Sequence, residues 1–487
     1  MSFCEPEFHP FNQPVVKQVL ELAGNRKLYL VGGYLRDVAA RLNIKAIDFD
    51  FAVAGASAVD FARLVADRLK GHFVLLDNKN DTARVVIDGG VNLDFAGCLN
   101  NDIEIDIKRR DFTVNALAWD PATPDIVIDR VGALEDLSHK RLRLISEQNL
   151  VDDPLRILRA YRFLSLLGFS LDEETRKILK VHKEKLHLVA HERINHEWFL
   201  LLNSPNSFDT VNIMGQDGVL EIVFPELTET RRVTKNPFHH LGLFEHSLEL
   251  IRQAEKEIHK FPAEIVAGFK QELAGGVSRL SATKTACLLH DIGKPATWEI
   301  TPEGKHTFIK HDQIGADMTK GLANRLKWST SLEKFVVKLI RWHLRPGHLY
   351  QQGAPTPKAM RKFFRVIGDD TPELILLALA DLGSTCGDGL AQEYREQQHE
   401  SMFELLSLFD VYKQGESRIV PFMDGNDVMK LLDLKPGPYV GLLLEAVLEA
   451  QALKEINSRE EANSFVKKQF TSWQKDKNFP LGSSSDD

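Results

Sequence analysis

The sequence predicts an α+β fold: strands and helices interleave in the first third of the chain, and helices make up the rest. Three stretches carry that expectation. LYLVGGYLRDVAARL (residues 28–42) runs from an apolar strand-like segment through two glycines into helical spacing, IDFDFAV (47–53) alternates carboxylates with apolar residues, and apolar residues recur at helical intervals from Phe244 onward.

In the first stretch Leu28 to Val31 reads as a strand, Gly32-Gly33 as a turn and Tyr34 to Leu42 as a helix. Glycine lets the backbone approach a ligand closely, and the free N–H groups at a helix start attract anions, so a triphosphate suits this junction. On its own a glycine pair before a helix is also simply a tight turn. The second stretch adds weight. Residues two apart in a strand share a face, so Asp48 and Asp50 sit together while Ile47, Phe49 and Phe51 point the other way. Adjacent carboxylates repel unless a cation lies between them, and magnesium takes a few carboxylates plus substrate phosphates. The plainer alternative is a solvent-facing pair on a half-exposed strand, although Asp is depleted in strands and occurs here twice. Asp94, in the later run VNLDFAG (91–97), is a candidate third carboxylate from a neighbouring strand.

KRRDFTVNALAWD (108–120) reads as a basic cluster followed by an apolar helical run. Arg109 and Arg110 would neutralise phosphates through their forked donors, or simply be the solvated start of a helix. In LVDDPLRILRAYRF (150–163), Asp153 before Pro154 has the order of an N-cap followed by proline at the first helical position. Arg156 and Arg159 then share a face with Arg162 close by, while Leu155, Leu158 and Phe163 serve the core. An Asp–Arg pair at a helix start can present an acceptor and donors to a base edge. The second half carries His246 in LFEHSLELI, His290-Asp291 in LLHDIGKP with Gly293 and Pro295 ending a helix, His311, His343 and Asp381. Imidazole and carboxylate ligands in that order suit a hydrolytic divalent metal site.

Bulk properties narrow the classes. At 487 residues the chain should form about two to four domains, and no apolar run approaches the ~20 residues of a membrane helix. The first residues, MSFCEPEFHP, hold no signal-type apolar core, so a cytoplasmic protein with no membrane partner is expected. Cys4, Cys98, Cys287 and Cys386 are scattered, which argues against a disulfide framework or a thiolate zinc site. A net charge of -8 argues against a non-specific nucleic-acid coat while leaving room for a local basic groove.

From Leu28 to Glu197 the motifs VGGYLRD, DFD, RRDFTVNALAW, DDPLRILRAYRF and ERINHE resemble class II tRNA nucleotidyltransferases, the CCA-adding enzymes, and the related bacterial poly(A) polymerases. The resemblance implies a polymerase-β type nucleotidyltransferase head with a mixed sheet and helices over residues 1–145, and a helical neck and body over 146–235. It implies that Gly32, Gly33, Arg36 and Asp37 bind the nucleotide and its triphosphate, and that Asp48 and Asp50 hold Mg2+. Arg109, Arg110, Asp111 and Asn115 belong to the second head motif that helps bind the nucleotide. Asp153 and Arg156 match the pair that reads the incoming base, with Arg159 and Arg162 at the same site, and Arg193 with Glu197 matches a neck-stabilising motif. tRNA, CTP and ATP are the implied partners. Asp152 stands where the family usually has Glu. The link from Asp94 to Arg109, AGCLNNDIEIDIKR, is shorter than in many CCA-adding relatives and resembles enzymes that add only the two cytidines.

The second half resembles an HD phosphohydrolase domain over residues 236–410. The resemblance gives His246, His290, Asp291 and Asp381 as core ligands of a divalent transition metal or Mg2+, His311 and His343 as holders of a second metal or of phosphate, and Lys294 as a phosphate contact. Residues 411–475 resemble the helical tRNA-body segment of the same family, with a turn at Lys435-Pro436-Gly437-Pro438, and 476–487 reads as a disordered tail. The expected function is template-independent addition of CCA, or only CC, to tRNA 3′ ends. The alternatives are a poly(A) polymerase of the same family, or a nucleotide-sensing HD phosphohydrolase without transfer.

Overall fold

The structure is a computed structural model that describes residues 8–42, 48–234, 241–351, 353–385, 391–416, 421–452 and 455–475. Ile47, Cys4, Cys386 and the tail 476–487, all named above, lie outside the described residues. Two compact units are present. The first comprises Met1–Glu229, Gly275–Ser281 and Gly321–Ser329; the second comprises the remainder.

The first unit is built on a seven-stranded mixed sheet. Its strands are β1 (Lys27–Val31), β2 (Asp48–Ala54), β3 (His72–Asp77), β4 (Thr82–Ile87), β5 (Val91–Gly97), β6 (Leu117–Trp119) and β7 (Val127–Asp129), in the spatial order β3-β4-β5-β2-β1-β6-β7. The β2/β5 pair is parallel and its neighbours are antiparallel. Helices α1 (Pro14–Ala23), α2 (Gly33–Ala39), α3 (Ala58–Leu69), α4 (Ile103–Lys108) and α5 (Ala133–Ser138) accompany the sheet. Next come α6 (Glu147–Asp152), α7 (Arg156–Leu167), α8 (Glu173–His182), α9 (His191–Leu202) and α10 (Phe208–Asp217).

Alternation in β2 decides how the sheet packs. Phe49, Phe51 and Val53 are buried on one face, where Phe95 of β5 stacks on Phe51 at 5.2 Å and meets Phe61 of α3 edge-on at 5.4 Å. Each such ring contributes about 1.5–3 kcal/mol by burial. On the other face Ala52 and Ala54 lie under Ile103 and Ile107 of α4, leaving Asp48 and Asp50 at the uncovered end.

Two expected elements differ. The run after Arg110 was expected to be helical, but only Thr113–Asn115 makes a 3-10 turn before the chain extends into β6 beside β1. Three buried residues in a row, Leu117 to Trp119, fit an interior strand as well as a helix. Asp153 does not cap α7; it follows the end of α6, and α7 starts at Arg156 after a turn in which the Asp153 carbonyl accepts from the Arg156 N–H at 3.1 Å. Gly168, at φ 64°, ends α7.

In the second unit helices Leu243–Glu257 and Thr371–Ser384 pack together, and a short hairpin, Trp298–Ile300 with His306–Phe308, interrupts an otherwise helical region. Its last helices, Gly425–Leu432, Pro438–Ala452 and Arg459–Lys475, close on a small core around Val428, Leu443, Val447 and Val466. Among the described residues no helix is long and apolar enough to cross a membrane.

Candidate active sites

In the first unit a cleft of about 460 Å³ opens above the β1–α2 junction. Gly32 and Gly33 form its floor. Gly32 has φ 79°, and any Cβ there would collide with Oδ2 of Asp50, so only glycine lets the strand end meet that carboxylate. The Gly33 N–H donates to the same oxygen at 3.5 Å. Burial raises the Asp50 carboxyl above its usual range, Arg110 opposes the rise, and Asp94 and Asp48 add to it. Three carboxylates are therefore neighbours: Asp50 is paired in register with Asp94 across β2 and β5, and Asp48 with Asn92, whose amide donates to it at 2.8 Å.

Arg36, Arg110, Asp111 and Asn115 line the same cleft. Arg36 donates to Asn115 Oδ1 at 2.9 Å, and Asn115 donates to Asp111 at 3.0 Å. Arg159 forks onto Asp111 Oδ2 at 2.8 and 2.6 Å. Burial alone would raise the Asp111 carboxyl, but Arg159, Asn115 and the Phe112 N–H hold it below the usual range. Arg162 pairs with Glu197 of α9 at 2.8 Å. The cleft's far wall holds Asp153 and Arg156, the latter donating to the Arg110 carbonyl at 3.2 Å, and Arg193, which donates to Asp153 at 3.0 Å. Burial lowers the Arg156 guanidinium pKa.

Four expected residues stand aside from this lining, and one of them is Asp48, exposed at the start of β2. Asp37 is engaged by Arg36 at 2.7 Å, Arg109 is exposed just past the end of α4, and Asp94 is held by Arg84. Sequence reading gave no site role to three lining residues, Phe163, Leu166 and Leu167. Phe163 lies under three guanidinium groups, Arg36, Arg159 and Arg162, at 5.4, 5.5 and 4.4 Å from its ring centre, and Leu166 extends the apolar wall. A phenylalanine one place after RAYR on a helix was the only signal, and it fits a core residue equally well. Arg84 carried no local signal, because its partner is set by strand register.

The second unit gathers its six expected ligands. His246, His290 and Asp291, and again Asp291, His311 and His343, offer ligand atoms that lie within 4.8 Å of one another in each set. Asp381 completes the first set at 3.3 Å from His246 Nε2. Every histidine is oriented through its other nitrogen. Nδ1 of His290, His311 and His343 donates to the carbonyls of Cys287, Phe308 and Ile340 at 2.9, 2.7 and 2.7 Å. His246 Nδ1 donates to Ser384 Oγ, whose own proton goes to the Asp381 carbonyl. The four Nε2 lone pairs thus face inward, and those of His311 and His343 are 3.3 Å apart. Two lone pairs at that distance need a cation or proton between them, so this donor set fits divalent metal. Asp291 sits between the two sets, and Lys294 pairs with it at 2.5 Å. Gly293 has no room for a side chain, since a Cβ would strike the His311 carbonyl and the Gly315 nitrogen. The head offers a different fit. With Asp94 taken by Arg84, Asp48 and Asp50 remain as a carboxylate pair, enough for a hard divalent ion that draws its other ligands from substrate phosphates.

Comparison with known proteins places both parts of the chain in known families. The chain matches the poly A polymerase head domain at residues 95–143, the probable RNA and SrmB-binding site of polymerase A at 168–230, and the HD domain at 243–383. It is 32% identical over 446 residues to an A-adding tRNA nucleotidyltransferase of Deinococcus radiodurans, covering 90% of this chain and 94% of that one. It is 31% identical over 442 residues to a CC-adding tRNA nucleotidyltransferase of Thermus thermophilus, covering 90% and 92%. Its fold resembles that of the Thermotoga maritima CCA-adding enzyme solved with tRNA, at a TM-score of 0.60, 21% identity and coverage of 96% and 97%. With this fold and this similarity over nine-tenths of its length, the chain belongs to the tRNA nucleotidyltransferase family and carries an HD domain.

Proposed function

We propose that the chain adds cytidines to the 3′ end of tRNA from CTP. The observation that carries the reading is the convergence of Gly32, Asp50, Arg110, Asp153 and Arg156 on one cleft. The N–H groups after Gly32, with Arg36 and Arg110, would bind the triphosphate. Mg2+ held by Asp48 and Asp50 would supply charge neutralisation and polarise the reacting oxygens. The O3′–Pα bond forms as the bond from Pα to the bridging oxygen breaks; pyrophosphate leaves and the hydroxyl proton passes to solvent. Asp153 would accept from the exocyclic amino group of the base while Arg156 donates to the neighbouring ring nitrogen. Cytosine and adenine both present that donor–acceptor pair and uracil reverses it, so this pair selects C and A over U, and cleft size must separate C from A.

Support for CC addition comes from the short link after β5, filled by a turn at Leu99–Asn101 and the two-turn helix α4. The Deinococcus relative favours a second reading, addition of A alone. Incubating the protein with tRNA lacking CCA and with tRNA ending in CC, each with CTP or ATP, separates them: CC addition extends only the first RNA, and only with CTP.

For the HD domain we infer metal-dependent hydrolysis of a phosphate ester. Four imidazoles beside two carboxylates favour a divalent transition metal over Mg2+. Lys294, 13% exposed and paired with Asp291, would meet the phosphate. The unpaired thiols Cys98 and Cys287 support a reducing, cytoplasmic setting. Loss of hydrolysis on chelation and its return with Mn2+ or Co2+ would test the HD reading.

A further inference from the structure

The sheet divides at Asp50. On the β1 side lie Gly32 and Gly33 with the nucleotide cleft, and on the other side β5, β4 and β3 follow in order. Paired residues of neighbouring strands share a face, so the registers Asp50–Asp94, Asp94–Arg84 and Arg84–Val74 put four side chains in one row on the carboxylate face. Asp48, Asn92, Val86 and His72 form a parallel row. The reverse face of these strands is buried through Ala83, Val85, Leu93 and Phe95, whereas Arg84, Val86, Asn92 and Asp94 on the carboxylate face are half-exposed. Val74 is 43% exposed on a strand that forms the edge of the sheet. An apolar edge beside a charged row is a surface without an evident structural purpose.

In-line displacement puts the attacking and leaving oxygens on opposite sides of phosphorus. If the leaving pyrophosphate lies over the glycines and arginines of the cleft, the attacking hydroxyl arrives over β5, β4 and β3. We propose that this open half-face is the platform for the last nucleotides of the acceptor RNA, with Arg84 as a positioning residue and Val74 as an apolar contact for a ribose or base. The inference rests on the nucleotide-transfer reading above. Arg84 grips Asp94 with two bonds of 2.7 and 2.8 Å, and its side chain is still 41% exposed. A guanidinium has five N–H donors, so one fork can hold Asp94 while the others face a phosphodiester.

The test uses the full chain and an acceptor-stem RNA lacking its CCA, with a photoreactive base at its 3′ end. After irradiation the platform predicts crosslinks within residues 72–87; crosslinks confined to α7 or α9 would overturn it. In steady state Val74→Asp and Arg84→Met should each raise KM for the RNA about tenfold while KM for CTP stays within about twofold, and Arg84→Lys should recover part of the loss. Arg84→Met should also lower kcat because it leaves the Asp94 charge unpaired beside Asp50, whereas Val74→Asp alters only an exposed edge and isolates the RNA contact. A rise in KM for CTP with RNA affinity unchanged in both variants would also overturn the proposal. Failure of the unmodified chain to incorporate any nucleotide is a separate outcome, and it refutes the transfer reading itself.

Discussion

Asp111 is buried between Arg159 and Asn115, and through them it joins the glycine turn to helix α7. Its folded pKa lies below that of the unfolded chain, so its ionised form stabilises the fold. That contribution is fully present above the unfolded pKa, about 4, and is lost as pH falls through the lower folded value. Asp111→Asn should cost about 2 kcal/mol at neutral pH and flatten the acid limb of stability, which urea unfolding from pH 7 to 3 would show; an unchanged acid limb would contradict the assignment. Arg156 belongs to the same scale. If it reads the base, Arg156→Ala should raise misincorporation from UTP and GTP more than it raises KM for CTP, because the triphosphate is bound elsewhere. Unaltered selectivity would assign Arg156 to anchoring the Arg110 carbonyl instead. The glycines, Asp48, Asp50, Asp153 and Arg156 were legible because each stands in a short pattern whose residue types imply chemistry. The Asp111–Arg159 and Asp94–Arg84 pairs were not, since nothing local ties residues 48 or 10 positions apart.

Among the elements, α7 and α9 depend on one buried acid. Glu197 in α9 pairs with Arg162 at 2.8 Å and lies 3.8 Å from Arg159, both in α7. Removing one partner of a buried pair strands the other charge, so Glu197→Gln should destabilise by about 3 kcal/mol. It should also loosen Arg159 from Asp111, so the loss is expected in thermal melting and in KM for the nucleotide together; a lower Tm with unchanged KM would confine Glu197 to the neck. Element types followed the period of the apolar residues where that period was long, as in β2 and α7. They failed at β6, whose three residues are too few to distinguish a strand from a helical turn, and at the start of α7. There, proline after aspartate suggested a cap, yet Asp153 Oδ1 accepts only from the Leu155 N–H at a long 3.4 Å while its other oxygen takes Arg193.

At the scale of the molecule the two proposed chemistries have no residue in common. His290→Ala with Asp291→Ala should abolish metal-dependent phosphohydrolysis and leave nucleotide addition within about twofold of the starting rate, because neither residue lies in the transfer cleft. Loss of both activities would mean that the two sites are coupled. The order of histidines and aspartates along the second half made the metal set readable, whereas the Nδ1 contacts to Cys287, Phe308 and Ile340 that aim it could be seen only once the helix ends were placed. The central claim, that the cleft around Asp50 transfers cytidines to RNA, meets its most direct test in one extension assay. Given tRNA lacking its CCA, Mg2+, and CTP with ATP, the account predicts that the chain adds two cytidines and stops, and that Asp48→Ala adds none. A wild-type protein that extends no RNA, or an Asp48→Ala variant that extends it at the normal rate, would contradict it.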